Sequence, residues 1–307
     1  MEEISLSGRV AVVTGAGGGL GRAYALELAR RGAAVLVNDT GGDLDGTGRT
    51  SAADAVVEGI LASGGRAAAN LDTVSTPEGG ESIIAAAVDH FGRVDAVVNN
   101  AGILRDKSFG KLDWDDFHAV QDVHLRGAAY VSQPAFRVMR EQGFGRFVFV
   151  SSNAGTFGSF GQSSYGSAKA GIIGLAQIVA IEGQRHGILS NVVCPLARTR
   201  MTETVLAADD AFAPEHVAPL VAYLASEHCQ ETHQVISAGA GHFARVFTGL
   251  TSGWQADPAE LVTAEDVAEH MDRILDPSSC SIPLSAPEEL EMLAPYVAAR
   301  AAAGSRA

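Results

Sequence analysis

Cysteine is scarce in this chain of 307 residues: Cys194, Cys229 and Cys280 are the only three, 35 and 51 positions apart, with no CxxC pair. So odd and sparse a set excludes a disulfide framework and points to reduced thiols in a cytoplasmic setting. Positive charge is scarce as well. The 22 basic against 36 acidic side chains leave a formal net charge of −14, which argues against a nucleic-acid partner, since that needs a basic face. Only Lys107, Lys111 and Lys169 among the basic residues are lysine. No apolar run approaches the roughly 18–20 residues of a membrane span. The N-terminus, MEEISLSGRV, is acidic and lacks the basic-then-apolar order of a signal peptide. The expectation is a cytoplasmic protein that neither spans a membrane nor binds nucleic acid.

What the chain does have is apolar mass, 47% of its residues, enough for a large core. Short β-branched runs alternate with longer helical stretches from Arg9 to about Ser237. The runs Val10–Val13, Ala34–Asn38, Ala67–Asn70, Ala96–Val98, Phe147–Val150, Ser190–Val193 and Gln234–Ser237 read as strands. They are mostly continuous rather than alternating, as in parallel strands covered on both faces. Helical patterns such as Gly21–Arg31, Gly79–Phe91 and Asp115–Glu141 lie between them. The alternation predicts an α/β fold, a Rossmann-like doubly wound parallel sheet of seven strands with helices on both faces. Thr40–Thr50, TGGDLDGTGRT, reads as an enlarged solvated loop, and its spacing fails the calcium-loop pattern. Residues 246–307 read as a helical C-terminal extension to a catalytic domain of residues 1–245. That extension holds 10 acidic and 3 basic side chains, so half the net charge sits in about a fifth of the chain. It is expected near the substrate entrance or a subunit interface.

Thr14-Gly15-Ala16-Gly17-Gly18-Gly19-Leu20-Gly21 follows the first predicted strand and opens a helix. Glycines let backbone approach a pyrophosphate, and a helix N-terminus offers free N–H donors. Asp39 follows the second strand, 24 residues beyond Gly15, where a carboxylate accepts hydrogen bonds from adenosine ribose hydroxyls and repels a 2′-phosphate. The cofactor expected is NAD. Other motifs carry nothing: His228-Cys229 with His233 lacks metal-site spacing, so no metal is expected.

The spacing Gly-x3-Gly-x-Gly resembles the glycine motif of the short-chain dehydrogenase/reductase family. The resemblance continues through Asn99-Asn100-Ala101-Gly102, then Ser152, then Tyr165-Gly166-Ser167-Ala168-Lys169, with the serine 13 residues before the tyrosine. It implies cofactor contacts from Gly15, Gly19, Leu20, Gly21, Asp39, Asp72, Thr73, Val74, Asn99, Asn100, Ala101, Gly102, Tyr165, Lys169, Ala197 and Thr199. It also implies catalysis by Ser152, Tyr165 and Lys169. The residues themselves support that chemistry. Tyr165 and Lys169 share one helix face, and a cation beside a phenol favours the phenolate. Ser152, just past a strand, can donate to a substrate oxygen. Two departures stand out. His124, in His124-Leu125-Arg126-Gly127, occupies the place of the family's fourth catalytic residue, an asparagine. It either supports a water relay through its main-chain carbonyl or fills a helix interface. Pro195-Leu196 replaces the family's Pro-Gly.

Longer stretches, among them VNDTGGDLDGTGRTSAADAVVE and NNAGILRDKSF, resemble one subgroup: the (3R)-hydroxyacyl-CoA dehydrogenase units of type 2 multifunctional enzymes and their bacterial stand-alone relatives. The resemblance implies a small-molecule partner, an acyl-CoA or a steroid, and a homodimer or homotetramer. Arg105, Lys107, Arg198 and Arg200 are candidates for the thioester's phosphates, and Phe157 and Phe160 for an apolar slot beside Ser152. A 17β-hydroxysteroid dehydrogenase, a 3-oxoacyl-carrier-protein reductase and a catalytically silent NAD sensor or scaffold are the alternatives.

Overall fold

The computed structural model describes residues 3–43, 45–48, 50–199, 202 and 210–304. In chain order the first unit contains β1 (Val10–Thr14), α1 (Gly19–Arg30), β2 (Ala34–Asn38), α2 (Ala52–Ala62), β3 (Arg66–Asn70), α3 (Pro77–Phe91), β4 (Ala96–Asn99) and α4 (Trp114–Gln121). A π-helical turn (Asp122–Arg126) leads into α5 (Gly127–Gln142), β5 (Gly145–Val150), α6 (Asn153–Phe157), α7 (Ser163–Gly183), β6 (Ile188–Leu196), α8 (Ala218–Leu224), β7 (Val235–Gly239) and β8 (His242–Val246).

The strands form one sheet in the order β3-β2-β1-β4-β5-β6-β7-β8. This is the doubly wound sheet expected, with one correction: it has eight strands, not seven. The eighth runs antiparallel to β7. Gly239 pairs with His242, so the chain reverses over Ala240 and Gly241, whose φ angles are 51° and 73°. Two successive positive φ values make a primed hairpin turn, which the sequence usually announces with Asn-Gly or Asp-Gly. Here an alanine carries the first of them.

Alternate residues of each strand feed two cores. Ala11, Val13, Val35, Val37, Ala96 and Val98 pack in the core that includes α1 and α8. Val12, Leu36, Val97, Phe147 and Phe149 pack in the other, with residues of α3, α5 and α7. The expected continuous helix at Asp115–Glu141 is instead α4 and α5 joined by the π-turn. The helical run Ser163–His186 corrects another expectation. By length and a mean hydropathy of 1.2 it could cross a membrane, alone among the described helices. One face of it, with Ala168, Lys169, Ile172, Ala176 and Ala180, is buried against the sheet core, and 33% of the apolar window is buried in all.

The second unit begins at Phe247. It holds a two-stranded antiparallel pair, β9 (Leu250–Thr251) with β10 (Cys280–Ser281), and the helices α9 (Ala264–Glu269), α10 (Met271–Ile274) and α11 (Ala286–Gly304). Thr263 and Asp266 close a capping box at the start of α9. Trp254 stacks on His270 at 4.1 Å. None of the unit's described residues is fully buried.

Candidate active site

The glycine run sits where β1 turns into α1. Gly18 caps α1 without a side-chain hydrogen bond, so the first helical N–H groups lack a capping side chain. Gly15 has φ +63°, and a Cβ there would lie 2.7 Å from the Ala101 Cα. A Cβ on Gly21 would collide with the Gly15 carbonyl. Loop and β4 are locked together from the other side. The Asn100 side chain donates to the carbonyls of Thr14 and Gly15 at 2.9 and 3.0 Å. The Thr14 hydroxyl accepts the N–H groups of Asn100 and Ala101 at 3.0 and 3.1 Å.

A cleft runs over this junction. Gly15, Gly19, Leu20, Gly21, Asp39, Asp72, Thr73, Val74, Asn100, Ala101, Gly102 and Thr199 all line it. Asp39 accepts the amides of Gly17 at 2.8 Å and Gly41 at 2.7 Å, which fixes its carboxylate at the rim. Four expected contacts do not line it: Tyr165 and Lys169, which lie beyond it, and Asn99 and Ala197. Asn99 is buried and donates to Ser132 of α5 at 2.9 Å. Ala197 is buried in the core, and its carbonyl accepts the Thr202 hydroxyl at 2.7 Å. Sequence reasoning also missed one wall. Gly42, Asp43, Gly46 and Gly48, from the run read as a solvated loop, line the same cleft. A glycine cradle, a helix N-terminus and a fixed acid fit a dinucleotide such as NAD.

Beyond the cleft three side chains converge. Ser152 caps α6, accepting the Ala154 amide at 3.2 Å. Tyr165 opens the first turns of α7, and the Lys169 Nζ lies 5.6 Å from its ring centroid. Lys169 is buried and donates to the Val150 carbonyl at 2.7 Å. Burial lowers its pKa from 10.5 to about 7. Burial raises the Tyr165 phenol above its ordinary 10.0, opposed by a hydrogen bond with Ser152. In this arrangement desolvation, rather than the lysine charge, dominates the phenol. Such a group places a phenol able to transfer a proton beside a buried amine and the Ser152 hydroxyl.

His124 lies in the π-turn, a feature that often marks functional sites. Its ring is buried and meets the Tyr165 ring edge-on, centroids 5.2 Å apart. Nε2 lies 2.8 Å from the Ile103 carbonyl and 3.1 Å from the Ile103 amide. Nδ1 is buried without a partner. Burial lowers its pKa to about 3, so the imidazole is neutral at physiological pH. The ring therefore packs between Ile103 and Tyr165, which leaves the main-chain carbonyl of His124 as a separate question.

Phe157 and Phe160 are 74% and 94% exposed. Arg105 donates to the Asp45 carbonyl and to Asp116, and Lys107 pairs with Asp116 at 2.6 Å. Arg198 is exposed, its amide bonded to the Phe212 carbonyl. Arg200 lies outside the described residues. Among the described residues no group of three or more His, Cys, Asp or Glu side chains is arranged for a metal ion.

The short chain dehydrogenase family model matches residues 9–210. The chain belongs to the short-chain dehydrogenase family. It is 47% identical to the short-chain type dehydrogenase/reductase Rv0148 of Mycobacterium tuberculosis, over 89% of this chain and 96% of that one. It is 46% identical to the peroxisomal multifunctional enzyme type 2 of Mus musculus, over 91% of this chain and 38% of that one. The chain thus spans about two fifths of the mouse protein's length. Identity to the hydroxyacyl-CoA dehydrogenase ChsB1 of Mycobacterium tuberculosis is 38%, over 83% of this chain and 87% of that one. The crystal structure of a short chain dehydrogenase from Mycobacterium avium superposes with a TM-score of 0.78 at 40% identity, covering 89% of this chain and 98% of that one. As a short-chain dehydrogenase the protein is an oxidoreductase of CH–OH groups that uses NAD(H).

Proposed function

We propose that this short-chain dehydrogenase interconverts the 3-hydroxyl and 3-keto forms of a (3R)-hydroxyacyl-CoA, with NAD rather than NADP as its working cofactor. The observation that carries the chemistry is the buried Lys169 beneath the Tyr165 ring, with Ser152 hydrogen-bonded to the phenol. The substrate class is supported by relatives whose names specify it, the ChsB1 enzyme and the type 2 multifunctional enzyme. NAD is favoured because a 2′-phosphate would meet Asp39, whose two oxygens are held in place by the amides of Gly17 and Gly41.

When bound, the nicotinamide supplies the acceptor or donor of the hydride. Tyr165 takes the hydroxyl proton during oxidation from its phenolate form, becoming the phenol, and as the phenol it gives a proton to the substrate oxygen during reduction. Lys169, when protonated, sets a positive charge close to the Tyr165 ring, which favours the phenolate. Ser152 hydrogen-bonds the substrate oxygen as its charge changes. Asn100 keeps the glycine loop against β4, and His124 supports the Tyr165 ring from its edge. The exposed rings of Phe157 and Phe160 are suited to the acyl chain or a steroid nucleus. Exposed Ile178 and Ile181 on α7 suit burial against a second copy in a homodimer or homotetramer. Three free cysteines suit a reducing compartment such as the cytoplasm.

The test is NADH formation by purified protein across a panel of 3-hydroxyacyl-CoAs and hydroxysteroids. Tyr165→Phe should bind NADH with near-normal affinity and lose turnover by about 10²–10⁴-fold. Turnover retained in that variant would remove Tyr165 from the chemistry. Tight NADH binding with no turnover of any substrate would favour an NAD sensor.

A further inference from the structure

Arg105 follows β4, and its guanidinium is committed to the run that walls the nucleotide cleft. Nε and Nη2 both donate to the Asp45 carbonyl oxygen, at 2.9 and 2.7 Å. Nη1 reaches Asp116 of α4 at 3.3 Å, and Lys107 holds the other carboxylate oxygen of Asp116. Asp45 belongs to the run after β2 whose Gly42, Asp43, Gly46 and Gly48 wall the cleft. That run folds back on itself. The Asp43 amide donates to the Thr47 carbonyl at 2.6 Å, and the Gly46 amide to the Asp43 carbonyl at 3.0 Å. Gly46 packs so closely on Ile103 that a Cβ would lie 3.2 Å from the Ile103 Cγ2.

We propose that Arg105 is a positioning residue for the cofactor: it anchors this turn on Asp116 and so holds the cleft wall beside Asp39, where the adenosine end would lie. The proposal rests on the cleft being the dinucleotide site. It differs from the role suggested by charge alone, which is to receive substrate phosphates. Two donors converge on one carbonyl while a third reaches a carboxylate, a geometry that needs the planar fork of arginine. A lysine ammonium has its donors on one nitrogen and a shorter reach.

Arg105→Ala should raise the Kd for NADH, read from the fluorescence of the bound nucleotide, by about five- to tenfold. ADP-ribose, which carries the adenosine end, should weaken by the same factor, and nicotinamide mononucleotide should not change. Arg105→Lys should recover part of the loss. The KM for a 3-hydroxyacyl-CoA at saturating NAD should stay within about twofold of wild type. An unchanged NADH Kd with a raised acyl-CoA KM would overturn the proposal and return Arg105 to the substrate. Equal weakening of nicotinamide mononucleotide would also overturn it, because the damage would not be local to the adenosine wall. Should the alanine variant fail to fold by circular dichroism, Asp116→Asn carries the test, with a rise of about two- to threefold expected. No rise there overturns it. Failure of the wild-type protein to bind NADH would remove the cleft assignment itself, an outcome distinct from normal binding that no variant alters.

Discussion

Replacing Gly102 by alanine adds a single methyl group at the point where the cofactor cleft meets the proton-transfer group. The methyl carbon would fall inside the contact radius of the His124 Cε1 and 3.1 Å from both ring nitrogens. The ring has little freedom to yield. Its Nε2 is bracketed by the main chain of Ile103, its edge lies against Tyr165, and it is 2% exposed. Overpacking of this kind costs about 1–3 kcal/mol. Displacing the imidazole from Ile103 adds about 1 kcal/mol for the lost hydrogen bond. The expected destabilisation is therefore roughly 2–4 kcal/mol, among the larger effects of one substitution.

Urea unfolding followed by circular dichroism measures this directly, since a stability change without altered compactness moves the midpoint and leaves the slope unchanged. Turnover is a poorer readout, because Gly102 also lines the cleft. Specificity comes from a double-mutant cycle. His124→Ala alone opens a cavity and destabilises, but it also makes room for the new methyl. Gly102→Ala and His124→Ala combined should be less destabilising than their sum by at least about 1 kcal/mol. Gly102→Ala within about 0.5 kcal/mol of wild type, or strict additivity in the pair, would refute the account of how these two residues fit.

Two further outcomes follow from groups at the site. Lys169 has a folded-state pKa near 7 against an ordinary 10.5, so between those values the unfolded chain holds the extra proton and stability rises with pH. Lys169→Met should accordingly be more stable than wild type at pH 7 without cofactor, and urea titrations should show the gap narrowing towards pH 10. Asp39→Asn keeps the size of the side chain and removes its charge, so the ratio of kcat/KM for NADP to that for NAD should rise by about tenfold or more. An unchanged ratio in steady-state assays would mean that Asp39 does not face the ribose.

The parts of the site that were legible in the sequence are those whose geometry is local. Gly15 to Gly21 need only one strand end and one helix start, and Tyr165 and Lys169 need only one helical turn. The strand pattern located the sheet for the same reason, because continuous apolar runs report burial on both faces. What escaped depends on partners distant in sequence. Asn99 and Asn100 are adjacent and chemically identical, yet Asn99 turns to Ser132 in α5 and Asn100 turns to the glycine loop. Strand alternation would have separated them, because Val97 packs on the α5 side and Asn99 stands two residues further along β4. No such periodicity was available for Arg105, whose partners Asp45 and Asp116 stand 60 positions before it and 11 after it. Its charge alone suggested a substrate phosphate. The structure instead shows the guanidinium engaged by one main-chain carbonyl and one carboxylate, which satisfies much of its donor capacity without a ligand. The run of Gly42, Asp43, Gly46 and Gly48 is the largely exposed loop that glycine and aspartate signal, but only the tie to Arg105 and the packing on Ile103 show that it also walls the cleft. Composition thus identified which segments bend. Whether a bend faces solvent or a cofactor was decided by contacts between residues that no local pattern links.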